Sequence, residues 1–325
     1  MTARHWKWIW RFVRLAILVV AVRTLWVFPW APTGRALLAS DTRLLAIAIV
    51  VNLASLVAKG WSWHLLLKPL APHRMRAALE ATVIGAAVNN LSVSIVGEGE
   101  RAYDLARQTR IPLATVVLSI AWARGIEGVS FAILLLTAAF LLPMPPVVLA
   151  LQVGIGVGIL GLFALVCLGR GRHLPARAPQ WARDLTAAFS GMSSPRTLVL
   201  PLLLTIFNWL AEWATYDLTL RSVHVPVSYA ASLSALLATN IGGALRLTPA
   251  NVGVFQTSMF VGLLPFGVGA EHSVAAGLVL QGVHVLPVFA LAGAIAGWRR
   301  LRDRWRVQTA SPPDQTAGTQ PRAQA

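Results

Sequence analysis

The sequence predicts an all-α polytopic membrane protein with about six full transmembrane helices and two re-entrant or broken helical elements. Three observations lead to this prediction. The 325 residues have a mean hydropathy of +0.66 and 12% charged side chains, whereas a soluble domain carries about a quarter. Apolar runs long enough to cross a bilayer recur along the whole chain. Two runs are interrupted by polar and glycine-rich residues, which survive in a bilayer only when buried in protein or lining a polar cavity.

The apolar runs give the elements in order. A first run that follows basic residues lacks a small-residue cleavage site, so we interpret it as a retained span. The polar, proline-containing segment 307–325 is expected to be a disordered tail, which leaves residues 1–306 as one transmembrane domain. The runs lie at about 9–30, 43–67, 79–96, 112–141, 147–168, 197–220, 230–245, 250–267 and 273–297.

Lysine and arginine set the predicted orientation, because cytoplasmic loops are rich in them. Basic clusters at both ends of the chain predict cytoplasmic termini in the cell (inner) membrane. The loops near Lys68 and Arg107 are both basic, yet only the run 79–96 separates them. That run is therefore predicted to enter and leave by one face, the alternative being a misassigned loop.

The second interruption predicts a similar element on the other face. Runs 230–245 and 250–267 are short and flank Thr248 and Pro249, so they are expected to form a broken hairpin entering from outside. Broken helices near the midplane often mark a substrate site.

A weak internal repeat accompanies the two interruptions. Each is followed by a span with a polar i, i+3 pair, Arg124 and Glu127 in the first half and Gln281 and His284 in the second. The two halves run in opposite directions in the predicted topology, which indicates an inverted repeat of the kind found in transporters.

The charged residues inside spans are the candidate functional residues. Arg124 and Glu127 either form a headgroup or proton site facing a cavity or form a structural ion pair that fixes the re-entrant element. Glu98 lies between two glycines, where it can hold Arg101 or Arg124. Glu212 is deep in its span, and Arg246 at the second break can meet a carboxylate or a phosphate.

Several function classes are not expected. The histidines lack metal-ligand spacing, and the chain has no P-loop, no nucleophile motif and one cysteine, so we expect neither an enzyme nor a cofactor. The formal net charge of +16 lies mostly in short loops, which the positive-inside bias explains better than nucleic-acid binding. The expected partners are membrane lipids.

Three segments in order resemble the lysylphosphatidylglycerol synthase transmembrane-region family, also called flippase-like domain proteins. Residues 97–102 (Gly-Glu-Gly-Glu-Arg-Ala) are similar to its Gly-Glu-x-x-Arg-Ala motif, and 124–127 to its Arg-x-x-Asp/Glu. Residues 248–254 are similar to its Thr-Pro-Gly-Gly-x-Gly-Val segment. This chain has Asn251 at the second of the paired glycines and Gln256 where a glutamate is frequent.

The resemblance implies a lipid translocase for an anionic or polyprenyl-type lipid, without the aminoacyl-transfer domain of some members. Two alternatives stay open: an accessory or catalytic subunit of lipid or glycolipid biosynthesis, which would have an enzyme as partner, and a lipid-binding scaffold. In the translocase hypothesis the headgroup phosphate engages an arginine that carboxylates hold when the site is empty. The predicted substrate-binding residues are Glu98, Arg101, Arg124, Glu127, Glu212, Arg246, Thr248, Asn251, Gln281 and His284.

Overall fold

The computed structural model describes residues 34–35, 38–92, 96–142, 146–168, 195–244 and 251–309. Within these ranges the chain forms nine α-helices and a short 3-10 helix, and no strand. The helices are α1 (Thr42–Leu67), α2 (Met75–Leu91), α3 (Val96–Thr109), α4 (Leu113–Leu141), α5 (Pro146–Leu168), α6 (Pro195–Ser222), α7 (Tyr229–Ala244), α8 (Val254–Leu263) and α9 (Ala270–Thr309), with the 3-10 helix at Leu264–Phe266.

Five of the described helices, α1, α4, α5, α6 and α9, are long and apolar enough to cross a membrane. They coincide with five of the six predicted full spans, and the sixth, 9–30, lies outside the described residues. The helix α5 contacts the rest of the fold mainly through α4 and exposes large apolar side chains such as Leu151, Leu162 and Leu165. The prediction of an all-α polytopic membrane protein is confirmed.

The first interruption forms a helical hairpin of α2 and α3. These helices have 17 and 14 residues, so each is shorter than the roughly 20 residues needed to span a bilayer. They run antiparallel, because the Asn89 side chain near the end of α2 accepts a hydrogen bond from the Gly97 amide at the start of α3, at 3.0 Å. A side chain at Gly85 would lie 2.8 Å from Cβ of Arg101, so glycine permits this close approach.

The return limb of this hairpin differs from the prediction. We expected residues 101–110 to be a cytoplasmic loop, but residues 101–109 belong to α3, which is packed into the protein. The buried residues of α3 include Gly97, Arg101, Asp104 and Leu105, which share one helix face at i, i+3 and i, i+4 spacing. Their polarity lowers the hydropathy of the segment, and the buried face was therefore missed.

The second interruption forms a matching hairpin of α7 and α8. Gly262 of α8 packs on α7 so closely that a side chain there would lie 2.8 Å from Cα of Ala235. Ser234 adds a hydrogen bond of 2.7 Å to the Gly262 carbonyl. Residues 245–250, between the two limbs, are outside the described ranges. The two helical limbs of the predicted broken hairpin are therefore both present.

The two halves run in opposite directions. Ser62 of α1 donates to the Pro201 carbonyl of α6, while the Asp41 amide before α1 donates to the carbonyl of Ser222 at the end of α6. These contacts make α1 and α6 antiparallel. Each hairpin follows the C-terminal end of its helix, α1 or α6, so the two hairpins enter the protein from opposite faces, as an inverted repeat requires.

Each half has its own apolar core. In the first half Trp63, Leu105 and Ile126 belong to a buried cluster built by α1 to α4. In the second half a cluster that includes Leu236 and Met259 joins α6 to α9 with the end of α4. Polar side chains from both halves meet between these two clusters.

Candidate functional site

A cavity of about 500 Å³ lies where the two hairpins approach each other. Asn90, at the end of α2, lines it from the first hairpin, and Gly243, Ala244 and Asn251 line it from the second. The spans α1, α4, α6 and α9 supply the remaining walls. Its polar and charged lining residues are Asn52, Ser55, Lys59, Asn90, Arg124, Glu127, Asn208, Glu212, Tyr216, Thr239, Asn240, Asn251, Gln281 and His284.

A network of charged side chains forms the first-half wall of this cavity. Arg124 donates to Glu127 at 2.7 Å and also pairs with Glu98 of the first hairpin. Glu127 in turn accepts from Lys59 of α1 at 3.3 Å. Glu127 and Glu98 expose only 12% and 17% of their side chains, whereas Arg124 exposes 41%. The guanidinium of Arg124 is therefore the charged group of this network most available to a ligand.

Arg101 lies under this network rather than in the cavity wall. Its side chain is 3% exposed, and its Nη1 is 3.6 Å from Glu98 Oε2. Its guanidinium carbon lies 3.9 Å from the centre of the Trp63 ring, a cation–π geometry. Nε and Nη2 are buried without a hydrogen-bond partner in the described part of the chain. Because buried donors are nearly always satisfied, these two N–H groups are exceptions in the described part of the chain.

The second-half wall centres on Glu212. Its Oε2 lies 2.9 Å from His284 Nε2, and its Oε1 accepts from Ser55 at 2.8 Å. Ser55 also contacts Asn208 at 3.0 Å. This wall thus combines one carboxylate, one histidine and uncharged donors and acceptors. It contrasts with the arginine and lysine of the opposite wall.

The hairpin contacts follow the internal repeat. Glu98 is the third residue of α3 and pairs with Arg124 of the next span. Gln256 is the third residue of α8, and its amide donates to Gln281 of the next span at 2.7 Å. The same positions therefore hold the first hairpin by an ion pair and the second by a neutral hydrogen bond.

The span contacts repeat in the same way with the charges exchanged. In the first half a cation of the leading span, Lys59, meets Glu127 of the span after the hairpin. In the second half a carboxylate of the leading span, Glu212, meets His284 of the span after the hairpin. The predicted pairs Arg124–Glu127 and Gln281–His284 are thus equivalent in position, and both face the cavity.

The structure brings most of the predicted site residues together. Arg124, Glu127, Glu212, Asn251, Gln281 and His284 line the cavity, while Glu98 and Arg101 join it through the ion-pair network. The Asn251 amide donates to the Gly243 carbonyl at 3.2 Å, which links residue 251 to the end of α7. Arg246 and Thr248 lie outside the described residues.

Sequence reasoning missed Lys59 and several uncharged residues of the cavity. A lysine inside an apolar run is the same signal that identified Arg124, so Lys59 was detectable. Asn52, Ser55 and Asn240 carried no such signal, because single amides and hydroxyls are tolerated in spans at many positions. Within the described ranges no cluster of three or more His, Cys, Asp or Glu side chains has a geometry for a metal ion.

Comparisons with known proteins agree with this architecture. Residues 12–292 match the family described as the lysylphosphatidylglycerol synthase TM region. The chain is also similar to a UPF0104 membrane protein of Methanothermobacter thermautotrophicus, with 26% identity over 285 residues, covering 79% of this chain and 83% of the relative. The match spans both hairpins and the cavity between them. The chain belongs to the lysylphosphatidylglycerol synthase transmembrane-region family.

Proposed function

We propose that this protein moves the headgroup of an anionic or polyprenyl-type lipid across a cell membrane. The observation that carries the proposal is the polar cavity of about 500 Å³ at the meeting point of two hairpins that enter from opposite faces. The active site of an enzyme does not require two hairpins that enter from opposite faces. A transport path for a polar headgroup requires access from both faces of the bilayer, because each face must open in turn.

The charges of the first-half wall suit a phosphate. Lys59, Arg101 and Arg124 face two carboxylates, Glu98 and Glu127, so this network carries one excess positive charge. Guanidinium groups bind phosphate oxygens through paired, charge-assisted hydrogen bonds. Arg101 lies beneath this wall, so it contributes its positive charge rather than a direct contact with the phosphate. In this mechanism the lipid chains stay in the hydrocarbon while the headgroup passes through the cavity.

Exchange of partners at Arg124 provides a way to couple headgroup binding to the first hairpin. When the site is empty, Arg124 holds Glu98 of that hairpin. A phosphate bound to Arg124 takes the place of this carboxylate, and the hairpin loses its ionic contact with α4. Glu127 keeps Lys59 as its partner during the exchange. We expect the hairpins to act as gates on the two faces, with the basic ends of α3 and α9 on the cytoplasmic side.

The direct test is lipid movement in proteoliposomes. Purified protein is reconstituted with fluorescent phosphatidylglycerol or a fluorescent polyprenyl phosphate, and the outer-leaflet probe is quenched with dithionite. We expect wild type to accelerate loss of the protected signal. Arg124→Ala should slow it about 10- to 100-fold, since a hydrogen bond to a charged group contributes about 1.5–3 kcal/mol and each 1.4 kcal/mol is tenfold.

The matched control is Arg107→Ala. Arg107 is also an arginine, but it is 66% exposed and lies in the last turn of α3, away from the cavity, so this variant should move lipid at the wild-type rate. Equal slowing by both variants would contradict a role of Arg124 in the path. Chemical conversion of the lipid by the purified protein would instead support the enzyme alternative, and binding without movement would support the scaffold.

A further inference from the structure

The pair formed by Glu212 and His284 in the second-half wall of the cavity can hold one proton between its two side chains. His284 Nδ1 lies 2.9 Å from the Leu280 carbonyl oxygen, and its Nε2 lies 2.9 Å from Glu212 Oε2. A carbonyl oxygen only accepts, so Nδ1 carries a hydrogen. The contact between Nε2 and Oε2 needs a second hydrogen, carried by one of these two atoms.

This arrangement therefore contains one more proton than a neutral imidazole facing an ionised carboxylate. If that proton leaves, the one remaining hydrogen satisfies Nδ1 or Nε2 but not both, so the contact of 2.9 Å between Nε2 and Oε2 is either lost or reduced to a hydrogen bond from a neutral imidazole. Histidine is the side chain whose ordinary titration range includes neutral pH. Proton occupancy thus changes a contact between two spans that both line the cavity.

We propose that Glu212 and His284 form a proton-binding site that couples proton movement to headgroup movement. The inference rests on the proposed function and adds the driving ion. One proton binds between Nε2 and Oε2 when the anionic headgroup is in the cavity, and it leaves to the other side when the headgroup does. The only bond that forms and breaks is the N–H or O–H bond of this proton, and the anion and the proton cross together.

The coupling follows from the charges around the pair. An anionic headgroup adds negative charge to a cavity that already contains Glu212, which favours a proton on His284. By linkage, a proton on His284 then favours headgroup binding by the same factor. The charged and titratable groups of the packed helices are Lys59 from α1, Arg124 and Glu127 from α4, and Tyr216 from α6, while α7 and α8 present the uncharged Thr239 and Gln256.

The two walls are linked by neighbouring residues of α1. Lys59, the partner of Glu127, lies one helical turn from Ser55 on α1. Ser55 donates to Glu212, which contacts His284. A change of charge at the phosphate-binding wall therefore acts on the proton site across the cavity that Lys59 and Glu212 both line. The uncharged Gln256–Gln281 contact leaves the second hairpin without an ionic contact at that position.

The test uses the full chain in proteoliposomes with fluorescent phosphatidylglycerol and an internal pH dye. We expect an imposed pH gradient to shift the probe between leaflets, and probe movement to speed the decay of the gradient. In Glu212→Gln the leaflet distribution should no longer respond to the gradient. His272→Gln, an exposed histidine at the start of α9, should respond like wild type.

A second measurement keeps the proposal testable if Glu212→Gln does not fold. Wild type in weakly buffered detergent, at a pH at which the empty pair has released its proton, should take up about one proton per bound short-chain phosphatidylglycerol, as expected for a linked site. If lipid movement did not depend on the pH gradient and no proton were taken up, the proton-site proposal would be wrong and the translocase proposal would stand. Proton uptake without lipid movement would support the site and overturn the proposed translocase.

Discussion

Replacement of Arg299 by alanine tests the contact that fixes the first hairpin to the last span. Arg299 donates to Glu80 of α2 at 2.9 and 2.7 Å and to Asp104 of α3 at 2.7 and 3.1 Å. The side chains of Arg299, Glu80 and Asp104 are 14%, 12% and 4% exposed. One side chain thus joins both limbs of the hairpin to α9.

The expected loss can be worked out from these contacts. Removing one partner of a buried ion pair costs about 3–5 kcal/mol, because an uncompensated charge stays buried. Glu80 keeps Arg76 at 2.6 Å, and Asp104 keeps a hydrogen bond from Gln108 at 2.8 Å. These remaining partners place the cost at the lower end, about 3 kcal/mol of unfolding free energy.

The assay is reversible chemical unfolding of the purified protein in detergent micelles. Arg107→Ala is the control, since its 4.0 Å contact with Asp104 is exposed on the arginine side and should contribute less than about 1 kcal/mol. Adding Asp104→Asn to Arg299→Ala should recover part of the loss, because the buried charge is removed. Equal stabilities of Arg299→Ala and Arg107→Ala would refute the reasoning.

Two further predictions concern the hairpins. Cysteines placed at Arg107 and Gly269 should react with membrane-impermeant maleimide from opposite sides of the bilayer, because α3 ends and α9 begins at opposite faces. Labelling of both positions from the same side would exclude an inverted arrangement of the two halves. Gly262→Val should lower the thermal stability of the purified protein and weaken contact between α7 and α8, because the added atoms meet Ala235 at 2.8 Å. Gly269→Ala, which meets no atom within 4 Å, should leave stability unchanged, and a loss in both variants would show that the packing explanation is wrong.

The sequence was sufficient for the spans and for the location of the two hairpins. Hydropathy and the cost of polar groups in a bilayer are local properties, so the five described spans and the breaks could be recognised from short segments. The same reasoning identified Arg124, Glu127, Glu212 and His284, since an ionisable side chain in an apolar run stands out by itself.

Only the tertiary structure decided how these residues pair. Lys59 and Glu127 are 68 residues apart, and Glu212 and His284 are 72 apart. A sequence does not give the rotation of one span against another, and this rotation determines which side chains share a cavity. The burial of α3 was missed for the same reason. Its polar residues indicate a loop in the sequence, but in the folded protein Arg101 packs on Trp63 of α1 and Asp104 pairs with Arg299 of α9. The residues were visible in the chain, whereas their partners depended on helix packing.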